Sequence, residues 1–144
     1  MREVIEGKRV VVVDDSIVRG NTTRQIVQML RDAGAREVHM RVSSPPIKWP
    51  CFYGIDMPDH NELIGSRLSM EEIKDHTGAD SLAYLSIEGM VAATNIPGED
   101  FCTVCFSSRY PVPIPAEELR TKHVLEDTLP PSSRAGTPGA ARPE

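Results

Sequence analysis

Residues 10–22, VVVVDDSIVRGNT, restrict what this chain can fold into more than any other segment. Four consecutive valines read as a strand buried on both faces of a parallel sheet. Asp14 and Asp15 stand where that strand ends, and a loop of Ser16, Ile17, Val18, Arg19, Gly20, Asn21 and Thr22 follows. Beyond it, Ile26, Val27, Met29, Leu30 and Ala33 recur at the spacing of a helix packed along one side. A strand, an acidic pair, a small-residue loop and a helix start together make a site for a sugar phosphate.

Each part of that site has a physical basis. The first amides of a helix have no partner and carry partial positive charge, so they attract phosphate. Gly20 can adopt a positive φ and let the loop curl around an anion. Ser16, Asn21, Thr22 and Thr23 add side-chain donors, Thr22 is placed to cap the helix, and Arg19 offers a stronger anion contact. Asp14 and Asp15 repel phosphate, so their partners are sugar hydroxyls or a divalent cation. The site is no P-loop for nucleoside triphosphates, because G-x-x-x-x-G-K-[ST] and its lysine are absent.

The rest of the chain sorts into a folded body and a tail. Gly34 sits where the first helix should end, and Glu37–Val42 reads as a second strand, completing a right-handed β-α-β unit. Ligands of such sheets sit at the carboxyl ends of the strands, where the Asp pair lies. Residues 43–58 are proline-rich and read as an ordered irregular loop. Helices are expected over 69–77 and 81–92, capped by Ser69 and Ser81. The domain is expected to span 1–115, with an extension over 116–144 that is disordered from about residue 128.

Composition narrows the function classes. A net charge of −5 argues against non-specific nucleic-acid binding. No apolar run reaches the ~18 residues of a membrane span, and MREVIEGKRV is too polar for a signal peptide, so a cytoplasmic protein is expected. His39, His60, His76 and His123 show no metal spacing, Arg24, Arg31 and Arg36 read as exposed surface, and Glu88 reads as structural. Cys102 and Cys105 form a C-x-x-C, with Cys51 in the proline-rich loop. That pattern alone is open between metal ligation, redox chemistry and ordinary core cysteines. No helical pattern starts directly after Cys102, which argues against a thioredoxin-like role, and a cytoplasmic setting disfavours a disulfide.

The wording of these segments resembles a known family. VVVVDDSIVRGNT is similar to the phosphoribosyl pyrophosphate (PRPP) signature of type I phosphoribosyltransferases, and DDSIVRGNT to that of amidophosphoribosyltransferases, the entry enzymes of purine synthesis. The likeness runs on through SSPPIKWPCFYGIDMP, ELIG, LAYLSIEGM and FCTVCFSSRYP, over roughly residues 5–115. It implies an α/β fold, part of the type I phosphoribosyltransferase fold. It also implies that Asp14 and Asp15 are catalytic and hold the ribose and Mg²⁺, while residues 16–22 hold the 5′-phosphate. Cys51, Cys102 and Cys105 match three of the four ligands of the 4Fe-4S cluster that many bacterial members carry. The fourth ligand lies upstream and is absent here, and in the family the cluster takes no part in the reaction.

The resemblance further implies that the chain is the C-terminal part of a longer enzyme. The complete enzyme carries a glutaminase domain that supplies ammonia, and the front half of the phosphoribosyltransferase domain. Purine nucleotides are its expected inhibitors, and the full-length enzyme is a homo-oligomer. A sheet cut short would leave an open strand edge. Two other classes compete: a non-catalytic PRPP- or nucleotide-binding domain, and a structural metal module on the three cysteines. A phosphoribosyltransferase for a free base leaves the cysteine-bearing segments unexplained.

Overall fold

The computed structural model describes residues 2–57 and 59–114. The chain divides into Met1–Pro113 and Ile114–Glu144, and all the elements below belong to the first unit. The extension and disorder expected from residue 116 onward fall outside the described residues.

Three strands form a parallel sheet in the order β1 (Arg9–Asp14), β2 (Glu37–Val42), β3 (Ser81–Tyr84). Val10 faces Val38, Val12 faces Met40 and Asp14 faces Val42, while Met40 faces Leu82 and Val42 faces Tyr84. This is the α/β architecture that the β-α-β reading implies. Because strand side chains alternate between faces, one face collects Val10, Val12, Val38, Met40 and Leu82. Onto it pack Ile5 of the short α1 (Arg2–Ile5) and Val27 and Leu30 of α2 (Asn21–Asp32), the crossover helix between β1 and β2. Ile73 of α4 (Met70–Thr77) closes the carboxyl end of the same face with Ile17, Val42 and Ile64.

Two ends of these helices show how local sequence sets the fold. Gly34 has a φ of 91° just past α2, where its N–H donates to the Arg31 carbonyl and the Ala35 N–H reaches back to Leu30. That double bond pattern terminates a helix and favours glycine at the left-handed position. At α4, Ser69 accepts from the Glu72 N–H while the Glu72 carboxylate accepts from the Ser69 N–H, a reciprocal capping box. Residues 43–57 hold no regular element, as their prolines suggest, yet Ile47 and Met57 are buried with Leu63 in a separate small core. A short helix, α3 (Ile64–Arg67), follows a single 3-10 turn at His60–Glu62.

Four sequence expectations need correction. The strand of valines is not buried on both faces: Val11 and Val13 are 61% and 73% exposed. Their face of the sheet carries instead a polar row in which Glu37 accepts from Arg9 and lies 3.0 Å from His39, which contacts Ser81 in turn. Residues 81–92 are not one helix, because Ser81–Tyr84 pair with β2 as a strand. Helix α5 begins only at Ile87, and Ser86, not Ser81, caps it by accepting the Gly89 N–H. Thr22 does not cap α2; the cap is Gly20, one residue before Asn21, with no side-chain bond. Finally, a four-residue helix, α6 (Val104–Ser107), starts two residues after Cys102.

Asp80 ties the two crossovers together. Its Oδ2 accepts from the Val38 N–H and from Arg31, both at 2.6 Å, linking the start of β2, the end of α2 and the approach to β3. The Val38 N–H bond, helped by Arg31, holds its carboxyl below the usual 3.8. A carboxyl lowered on folding stabilises above its unfolded value and loses that effect as pH falls through its folded value. Acid unfolding followed by circular dichroism should therefore lose this contribution below about pH 3.8. Asp80→Asn should be less stable at neutral pH and show a shallower acid slope; an unchanged slope would contradict the role given to Asp80.

Candidate functional site

The end of β1 is fixed by its neighbour. The Ser43 N–H and hydroxyl both donate to the Asp14 carbonyl, at 2.9 and 3.1 Å. The Asp14 carboxylate accepts the Asp15 N–H at 3.0 Å, and the Ser16 hydroxyl lies 3.5 Å from the Asp15 carboxylate. Asp15, Asn21 and Thr22 are exposed, whereas Ile17 is 2% exposed and packs into the core. Ile17 thus has only its backbone free for a ligand. Val18 packs beside Ile47, Met57 and Leu63, and its carbonyl accepts from the Ile64 N–H. Arg19 is exposed and paired with Glu62.

Gly20 makes the turn into the helix. Its φ of 80° lies in the left-handed region, and an added Cβ would stand 2.8 Å from Ile64 Cδ1 and 3.2 Å from His76 Cδ2. Both backbone and space therefore call for glycine. The turn leaves the first amides of α2 without intrahelical partners or a side-chain cap. Residues 14–23, from Asp14 to Thr23, line one concavity of about 400 Å³. Every residue expected at the sugar-phosphate site therefore lies at one cavity, with the carboxylates first in the chain and the helix start last.

Such a cavity can take an anion on the amides and hydroxyls of its helix end, and a diol or cation on its carboxylates. Mg²⁺ is held by one or two carboxylates plus substrate oxygens, so Asp14 and Asp15 fit it as a pair. For the cluster the resemblance implies, Cys51 and Cys105 pack on the same small core, and Cys102 and Cys51 both lie near enough to act on the Cys105 thiol. Among the described residues no three His, Cys, Asp or Glu side chains are grouped to hold a metal ion. Cys51 and Cys105 are half-buried and Cys102 is exposed, all as free thiols. Burial pushes the Cys105 thiol up, with Cys102 and Cys51 adding to the effect. Their segments are joined without any metal: the Lys48 and Trp49 N–H groups donate to the Cys105 carbonyl, and Tyr110 donates to the Pro50 carbonyl.

Sequence reasoning missed Glu62, Ile64 and His76, which stand behind the loop although they lie about forty to fifty residues further along the chain. No local pattern announces them. His76 read as structural, and its Nε2 is buried without a hydrogen-bond partner among the described residues.

With the geometry in hand, comparison with known proteins is informative. No family model matches the chain. The fold is that of a phosphoribosyltransferase domain: the glutamine PRPP amidotransferase of Bacillus subtilis, solved with ADP and GMP, superposes with a TM-score of 0.75 at 53% identity, over 81% of this chain and 27% of that one. In sequence, the chain is homologous to the amidophosphoribosyltransferases. It is 49% identical over 96% of its length to that of Mycobacterium tuberculosis, covering 27% of it. It is 53% identical over 88% of its length to that of Synechococcus elongatus, covering 26%. The chain thus spans about a quarter of the length of the relatives it matches.

The glycine argument can be checked by comparison. Gly7 also has a positive φ, 70°, but nothing lies within 4 Å of an added Cβ. Gly7→Ala should cost about 1–2 kcal/mol of unfolding free energy from backbone strain alone. Gly20→Ala should cost more than that, through the clash with Ile64; equal costs in urea titrations would contradict the packing described.

Proposed function

We propose that the cavity binds PRPP and that this chain forms the PRPP-binding part of an amidophosphoribosyltransferase. The reading rests on one observation above all: Asp14, Asp15 and residues 16–23 line a single cavity in a chain about half identical to enzymes of that name. In the proposed reaction, ammonia attacks the anomeric carbon of PRPP. A C–N bond forms as the bond to pyrophosphate breaks, and 5-phosphoribosylamine results with inversion.

The residues divide the labour by charge. Loop amides and hydroxyls of residues 16–22 hold the 5′-phosphate, remote from the reacting carbon, and this binding energy fixes the ribose. Asp14 and Asp15 accept hydrogen bonds from the ribose hydroxyls. Their negative charge also favours the positive charge that grows on the ring in an oxocarbenium-like transition state. Asp14 and Asp15 would hold Mg²⁺, which when bound would supply neutralisation of the departing pyrophosphate. A 4Fe-4S cluster held by Cys51, Cys102 and Cys105 with a fourth ligand would be structural and has no place in these steps.

The partners belong to the same proposal. Ammonia comes from glutamine, released by a glutaminase domain of the complete protein, which works as a homo-oligomer in the cytoplasm. Among the described residues no helix is long and apolar enough to cross a membrane. Purine nucleotides act as inhibitors, a reading supported by the ADP and GMP in the Bacillus subtilis relative.

The test joins this chain to the remaining length of a relative and follows PRPP-dependent amination. Asp14→Asn or Asp15→Asn should each cut turnover at least about tenfold, the scale of one lost charged hydrogen bond. Near-unchanged kinetics in both variants would contradict the assignment. Nucleotide binding with no amination in the unsubstituted hybrid would instead favour a non-catalytic binding domain.

A further inference from the structure

Three consecutive residues of the phosphate loop are tied to one segment, and one residue of that segment has no part in the function proposed above. Glu62 closes the turn His60–Glu62, and its Oε2 accepts from Arg19 Nη2 at 2.6 Å and Nε at 3.1 Å. Two residues on, the Ile64 N–H donates to the Val18 carbonyl at 2.9 Å, and the Ile64 side chain fills the space under Gly20. Three consecutive loop residues, Val18, Arg19 and Gly20, are therefore fastened to Glu62 and Ile64.

That segment is itself rigidly held. Leu63 is fully buried and Ile64 is 1% exposed. The Ser66 hydroxyl lies 2.6 Å from the His60 carbonyl and 2.8 Å from that of Leu63. Gly65 is pressed so close to the Ile47 carbonyl that a Cβ would stand 2.6 Å from its oxygen. A loop bound to such a wall keeps its shape before any ligand arrives, which is what tight phosphate binding by backbone amides requires.

We infer that Glu62 is a positioning residue for the phosphate loop, acting through Arg19, and that the Arg19 guanidinium anchors the loop and does not bind the phosphate. The inference deepens the PRPP reading and rests on it. Two of the guanidinium's five donors are spent on Glu62 Oε2, and the Glu62 carboxylate offsets the positive charge a phosphate would seek there. The two side chains are 55% and 51% exposed, so the pair adds little to global stability. Changing it should register in ligand affinity while the urea midpoint stays in place.

The experiment titrates ribose 5-phosphate with Mg²⁺ into the full chain by calorimetry. Arg19→Gln and Glu62→Gln should each weaken binding about threefold to fivefold, the scale of one exposed ion pair. The charge exchange Arg19→Glu with Glu62→Arg should restore affinity to within about twofold, because the anchor is rebuilt with its signs reversed. Unchanged or tighter binding by Glu62→Gln, with no rescue by the exchange, would overturn the inference and make Arg19 a direct phosphate ligand that Glu62 competes for. Asp15→Asn serves as the separate control: it should weaken binding about tenfold. If ribose 5-phosphate does not bind the unsubstituted chain, or binds Asp15→Asn equally well, the PRPP reading fails and takes the inference with it.

Discussion

The structure turns on the left-handed bend at Gly20. A side chain there would stand 2.8 Å from Ile64 Cδ1, closer than real atoms come, and tight against His76 at 3.2 Å, so the loop could seat against α3 and α4 only if Ile64 moved. Seated, the loop sends α2 back across the sheet with Val27 on Val38 and Met40. The same bend aims the uncapped start of α2 at the cavity. One backbone conformation thereby sets both the packing of the main crossover and the electrostatics of the site.

Core and site are linked through the alternation of residues in the loop. Ile17 is buried between Val42, Ile64 and Ile73, while Asp15 before it and Asn21 after it are exposed to the cavity. Burial of one side chain fixes where its neighbours can point. The sheet contributes at its carboxyl end, where Ser43 binds the Asp14 carbonyl and stops the strand from drifting. Stability and the geometry of the cavity therefore share the same residues, and an error in packing at Ile17 or Ile64 would be felt there.

Local chemistry made much of this legible in the sequence. The Asp pair after a β-branched run, the glycine before a helical stripe, Gly34 as a helix end and Ser69 as a helix cap each act over a few residues, and each is where the pattern put it. The misses have equally physical causes. Ser81–Tyr84 carry too few residues to separate a strand from the helix that follows, and only pairing with β2 decides it. Val11 and Val13 look buried by composition, but the described residues leave their face of the sheet open. Glu62, Ile64 and His76 reach the loop only through the tertiary fold.

The central claim is that residues 15–23 enclose a sugar phosphate. It is tested most directly by following the backbone amides of ¹⁵N-labelled chain during titration with PRPP and Mg²⁺. The account predicts saturable shifts centred on the amides of Ser16, Gly20, Asn21, Thr22 and Thr23, with His39 and Ser81 on the opposite face of the sheet unmoved. Still amides in the loop, or saturable shifts centred on that opposite face, would contradict it.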